Sequence, residues 1–258
     1  MDALRWYLEP FQTGAYEPGS IPLQIYTEPA GDDSDRVDFV YVRNLEERFR
    51  GSLPGTLDWL FWDVHDLVSV WVRDFLLVHS GAVTIGDRAV LLPAEMDTGK
   101  STLVTALLHA GAGYLSDELG AIDPVTRRVY PYPKRITLDD ETLQFFPGLE
   151  ERLSDRTGAM AVLRQRYVRP EDCGASIAGP APLGALVFPT ADREGPPRLE
   201  EVAAAESAWL LAANARNLYR YGDRGVLLLG EMCAGARAYR LSGGTPRERA
   251  DLLMEQLG

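Results

Sequence analysis

The segment Ala89-Val90-Leu91-Leu92-Pro93-Ala94-Glu95-Met96-Asp97-Thr98-Gly99-Lys100-Ser101-Thr102-Leu103-Val104-Thr105-Ala106-Leu107-Leu108 reads as a strand, a tight loop and a helix in succession. An apolar run leads into Gly99-Lys100-Ser101-Thr102, and a second apolar run at helical spacing follows. That order builds a phosphate cradle, in which loop amides and the helix N-terminus face the anion. Asp97, Thr98, Gly99, Lys100, Ser101 and Thr102 are the candidate binding residues; Lys100 adds positive charge and Ser101 is a candidate magnesium ligand. Lys100 and Lys134 are the only lysines among 26 basic residues, so two positions escape a strong bias toward arginine. A compact ammonium group is the form of positive charge that such a cradle uses. Two positions depart from the pattern G-x-x-x-x-G-K-[ST]: Ala94 stands where the first glycine belongs, and Asp97 puts a carboxylate inside the loop.

Outward from this segment, composition sets the limits. The chain has 258 residues, 46% hydrophobic and 25% charged, enough for one sizeable core with or without an appendage. A formal charge of −12 argues against nucleic acid or an anionic membrane as a generic partner. No apolar run approaches the ~20 residues of a membrane span. Met1-Asp2-Ala3-Leu4-Arg5-Trp6 lacks the pattern of a signal peptide, and Cys173 and Cys233 are isolated. A reducing, cytoplasmic location is the expectation.

Residues 1–75 are expected to form a small α+β extension, and 76–258 a nucleotide-binding α/β domain. In the extension, Leu23–Tyr26 and Val37–Val42 alternate as strands, with an acidic loop over Glu28–Asp35 between them. A helix is expected over Thr56–Val78, with Trp59, Trp62 and Trp71 as core or packing residues and not an aromatic ligand site. Gly81–Leu92 reads as a hairpin turning at Gly86-Asp87, and Leu119–Tyr130 as another hairpin-like unit. Arg169–Pro182 and Thr190–Pro197 read as loops around a strand at Ala185–Phe188. Helices over Ala203–Asn217, Arg224–Ala234 and Arg247–Leu257, with a strand at Ala236–Leu241, complete the pattern.

Tyr114-Leu115-Ser116 reads as a strand that delivers Asp117-Glu118, 17 residues after Lys100. If that strand lies in a parallel sheet, its end opens on the same crevice as the loop. Asp117 is then placed to hold magnesium and Glu118 to take the proton of an attacking hydroxyl. A solvated turn or a helix cap is the alternative for this pair, and a hydrogen-bonded core position the alternative for His79. His65 and His109 fall in apolar helical patterns and read as structural.

These residues carry a resemblance. His79–Leu138 resembles the catalytic domain of the HPr kinase/phosphorylase family and its diverged kinase-like relatives. The matches are His79-Ser80-Gly81-Ala82-Val83 ahead of the loop, Gly99-Lys100-Ser101-Thr102, Leu115-Ser116-Asp117-Glu118 and Tyr132-Pro133-Lys134. More loosely, Ala238-Tyr239-Arg240-Leu241 before a helix is similar too. The resemblance implies a P-loop core like the C-terminal domain of that family, with ATP and Mg²⁺ as cofactors. It places Lys100 on the β- and γ-phosphates, Ser101 and Asp117 on the metal, and Glu118 at the acceptor hydroxyl. His79 would line the same site, and Lys134 would reach phosphate or acceptor. The family has two aspartates where this chain has Asp117-Glu118, and its Glu-Ile-Arg-Gly-Leu-Gly segment is absent here. A related kinase is therefore expected, acting on a hydroxyl, of serine type, in a peptide, a protein or a small molecule. The resemblance also admits a homo-oligomer. Ala94 and Asp97 favour the other reading, a nucleotide-binding regulatory or scaffold protein without turnover.

Overall fold

Tight turns between apolar strands start the central sheet. β4 (Leu76–Ile85) turns at Gly86-Asp87 into β5 (Arg88–Pro93), with Ser80 opposite Pro93 and Ile85 opposite Arg88. Gly86 adopts φ +60°, the left-handed conformation that such hairpin turns require. The computed structural model describes residues 8–9, 23–30, 33–96, 98–154 and 165–258. Asp97 lies outside the described residues.

Beyond the hairpin the sheet is mixed. β11 (Ala181–Pro189) runs parallel to β5 and to β13 (Arg237–Ser242), and β12 (Arg198–Glu201) closes that side antiparallel to β13. On the other side of β4 lie β6 (Gly113–Ser116), β7 (Leu119–Ile122) and then β8 (Arg128–Tyr130). β6 pairs antiparallel with β4, not parallel with the strand that feeds the Gly-Lys loop. The parallel-sheet expectation therefore fails locally. Its consequence survives, because β5 and β6 both run opposite to β4 and so end on the same edge of the sheet.

Alternation along the strands divides the core into two faces. Val90 and Leu92 point toward α2 (Lys100–His109) and α7 (Pro246–Leu257), joined by Val104, Leu107, Leu253 and Leu257. Ala89 and Leu91 point the other way, toward α5 (Ala204–Asn214) and α6 (Arg224–Gly235), packing with Leu211, Leu229 and Met232. The domain is thus an α/β sandwich, a mixed sheet between two helical layers. α7 is started by a capping box: Thr245 Oγ1 accepts from the Glu248 amide, and the Glu248 carboxylate accepts from the Thr245 amide.

The N-terminal residues form a second, smaller sheet. β1 (Leu23–Ala30), β2 (Asp33–Arg43) and β3 (Glu46–Gly51) are antiparallel, and α1 (Leu53–Trp71) packs on them. Much of the expected acidic loop at Glu28–Asp35 is thus strand. α1 also stops short of the expected helix to Val78. Val72 turns extended at ψ 125°, and Leu76–Val78 joins β4, where burial on both faces gives a strand the same unbroken apolar run. Trp62 and Trp71 are each 59% exposed, so they are not core residues; Trp59 stacks against Phe49 at the surface. Asp63 on α1 is fully buried and is clamped by Arg43 at 3.0 Å and Arg48 at 3.6 Å. Among the described residues, no helix is long and apolar enough to cross a membrane.

β9 (Ile136–Asp139) and β10 (Gln165–Val168) form a separate two-stranded ladder, followed after β9 by α3 (Asp140–Leu143) and, further on, α4 (Leu149–Ser154). Tyr167 of β10 meets Phe61 of α1 edge to face at 5.6 Å, which joins the small sheet's core to this ladder. Cys173 and Cys233 are both buried and unpaired.

Candidate functional site

α2 begins at Lys100 immediately after Gly99, which holds φ +83°, ψ 27°. That left-handed conformation is one that glycine adopts at no steric cost. No side chain caps the helix, so its first amides face the loop that precedes them. Lys100 nevertheless is only 8% exposed, because its side chain turns back along the sheet edge. Its Nζ donates to Ala94 O at 3.2 Å and to His79 Nε2 at 2.8 Å. An ammonium has no acceptor capacity, so His79 Nε2 must accept and the ring proton sits on Nδ1. Nδ1 lies 3.2 Å from Glu118 Oε1, at ion-pair distance but without hydrogen-bond alignment.

The acidic pair occupies the turn between β6 and β7. Ser116 Oγ accepts from the amides of Glu118 and Leu119 at 3.0 and 2.9 Å, and Glu118 O accepts from Ser80 N. These bonds fix the turn beside the middle of β4, where His79 stands. Asp117 is 1% exposed and surrounded by donors. It receives Lys134 Nζ at 3.3 Å, the Thr137 amide at 3.1 Å, the Tyr114 hydroxyl at 3.3 Å and Ser101 Oγ at 3.4 Å. Lys134 also lies 3.7 Å from Glu118 Oε2 and donates to Thr137 Oγ1 at 3.0 Å. Five residues singled out in the sequence, His79, Lys100, Asp117, Glu118 and Lys134, thus share one buried charge cluster with Ser101 at its rim.

Electrostatics follow from that packing. Burial lowers the pKa of Lys100 below the ordinary lysine value despite the opposing charges of Glu118 and Asp117. Burial likewise works against the charge of Lys134, but Asp117 and then Glu118 outweigh it and raise its pKa. For Glu118 burial pulls upward, while contact with His79 and the charge of Lys134 together hold the carboxyl well below the usual range. Lys134 and Glu118 are therefore both charged near neutral pH.

Thr98 and Thr102 play lesser parts here. Thr98 Oγ1 closes the loop on Glu95 O at 2.9 Å, and Thr102 Oγ1 lies 3.3 Å from Thr142 Oγ1. Several neighbours escaped the sequence reading. Tyr114 and Thr137 bind Asp117 from a strand edge, and no motif marks such contacts. Arg216 follows Ala215, which bridges Val78, and the Arg216 amide donates to Leu77 O; its charge acts on Lys100. His65, read as structural, reaches Tyr132 OH at 2.5 Å, and the charges of Lys134 and Glu118 act on it. His109 does pack against the core: it stacks on Phe146, and its Nδ1 lies 2.9 Å from Thr105 O.

Among the described residues, no group of three His, Cys, Asp or Glu side chains is arranged to hold a metal ion. Ser101 Oγ and Asp117 Oδ2, 3.4 Å apart, are hard oxygen donors of the kind magnesium takes, usually one or two per protein with phosphate and water completing the shell. No known family model matches this chain, and no curated protein matches it in sequence.

Proposed function

We propose that this chain is an ATP- and magnesium-dependent kinase with a P-loop core, a diverged relative of the HPr kinase/phosphorylase family. It transfers a γ-phosphoryl group to a hydroxyl, of serine type, on a peptide, protein or small molecule. The observation that carries this reading is the convergence of Lys100, at an uncapped helix start, with the Asp117-Glu118 pair through His79 and Lys134. Phosphoryl transfer needs positioning and charge neutralisation more than covalent help, and this cluster supplies both signs of charge in a small volume.

The α2 amides and Lys100 bind the β- and γ-phosphates. Ser101 and Asp117 would hold Mg²⁺, which when bound neutralises charge on the phosphates. Lys134, held by Asp117 and Thr137, keeps its ammonium beside Glu118, where it offsets charge on the transferred group. Glu118 accepts the proton of the acceptor hydroxyl as the new P–O bond forms and the bond to the ADP oxygen breaks. His79, held by Lys100 on one nitrogen, keeps its other nitrogen beside Glu118 and so orients the base.

One observation favours a second reading, a nucleotide-binding regulatory or scaffold protein without turnover. Glu118 sits between His79 Nδ1 at 3.2 Å and Lys134 Nζ at 3.7 Å, a pairing that lowers its pKa and makes it a weaker base. Magnesium-dependent ADP production, measured across a panel of hydroxyl acceptors, separates the two. The kinase reading expects acceptor-stimulated turnover that Glu118→Gln reduces about 100-fold or more. ATP binding by the wild type with no ADP from any acceptor would support the scaffold instead.

A further inference from the structure

We propose that Arg193 is a third cationic contact for the β- and γ-phosphates, delivered across the Gly-Lys loop by a connection that the C-terminal helix holds in place. The inference rests on the nucleotide reading above. Arg193 belongs to the segment between β11 and β12, nearly a hundred residues beyond Lys100, and its guanidinium lies against Gly99. A Cβ on Gly99 would overlap Arg193 Nη2. The left-handed backbone is what calls for glycine at this position; the arginine tip resting on it shows how near the guanidinium lies to the helix start.

The connection carrying Arg193 is tied down on every side. Arg249 of α7, only 2% exposed, donates to the carbonyls of Thr190, Asp192 and Gly243. Gly243 N donates to Asp192 O and Gly244 N to Gly195 O, both at 2.9 Å, while Glu194 N donates to Asp192 Oδ1. Gly243 and Gly244 hold φ +66° and +75°, and a Cβ on Gly243 would strike the carbonyl of Pro196. A buried arginine and two left-handed glycines fix a loop whose tip is an exposed arginine. The Phe145 ring, half exposed beside the same helix start, sits 6.0 Å from the guanidinium carbon and steadies it.

A planar guanidinium placed over an uncapped helix start matches phosphate oxygens in pairs, which an ammonium does not. With Lys100 below and Arg193 above, the phosphates would be gripped from both sides of the loop.

Titration calorimetry of ATP and of AMP into the full chain, with thermal melts alongside, tests this. Arg193→Gln is expected to weaken ATP about tenfold or more, the scale of one charged hydrogen-bonding group, with AMP changed less than about twofold and the melting midpoint unchanged. Arg193→Lys should recover part of the loss. An Arg193→Gln variant that binds ATP like the wild type, while Lys100→Ala loses it, overturns the inference and leaves the nucleotide reading standing. Equal losses for ATP and AMP overturn it as well, because they point to a disturbed loop. A folded wild type that binds no ATP overturns both.

Discussion

His79 couples the two ends of the site: one ring nitrogen takes the Lys100 ammonium, and the other faces Glu118. Replacing it with Asn should leave ATP binding within about threefold while lowering turnover, because its partners keep their charges but lose their alignment. Equal loss of both would assign His79 to binding. His65 gives the site a pH signature. Burial first, and then the charge of Lys134, push its pKa down to about 3. The unfolded chain takes up this proton near pH 6.5 and the folded chain does not until about 3. Stability is thus complete above about 6.5 and falls as pH drops, by up to about 1.4 kcal/mol per unit from this one group. His65→Gln should flatten the slope of denaturation free energy between about pH 6 and 4; an unchanged slope would contradict the assignment. Lys100, Asp117, Glu118 and Lys134 were legible because motif spacing and the scarcity of lysine mark them. His65, Thr137 and Arg193 were not, since each reaches the site through contacts that no local pattern encodes.

At the scale of elements, local signals worked where the chain itself closes the contact. The Gly86-Asp87 hairpin and the helix after Lys100 are set by turn chemistry and periodicity. The neighbour of β6 was misread because strand pairing is a choice among distant partners, and the apolar pattern of a buried strand is silent about it. The same limit hid β9, β10 and β12, three four-residue strands. α1 ran too long on paper because Phe75–Val78 continues its apolar run without a glycine or proline to mark the change. Two element-level outcomes follow. Gly99→Ala should destabilise the fold by about 1–3 kcal/mol in chemical denaturation and abolish ATP binding, through its φ of +83° and the adjoining Arg193. Thr245→Ala should cost about 1 kcal/mol through loss of the α7 capping box; a cost within error would mean the helix start is held by Arg249 alone.

For the whole molecule, the small N-terminal sheet is not a loose appendage. Phe61 packs on Tyr167 and His65 meets Tyr132, so α1 covers the side of the ladder and of the Tyr132–Lys134 segment that leads into the site. Removing residues 1–73 should lower the melting midpoint and raise binding of an apolar dye, because the Tyr167 side of this seam would be uncovered. A truncated chain with unchanged melting would make the extension an independent module. On the proposed reading, a chain of net charge −12 repels polyanions in general, while Lys100 at an uncapped helix start draws one phosphate group. That claim stands or falls on calorimetric titration of MgATP into the wild type and into Lys100→Ala. The account predicts saturable binding by the wild type that the variant loses while staying folded. A folded wild type without binding, or a variant that binds equally well, would contradict it.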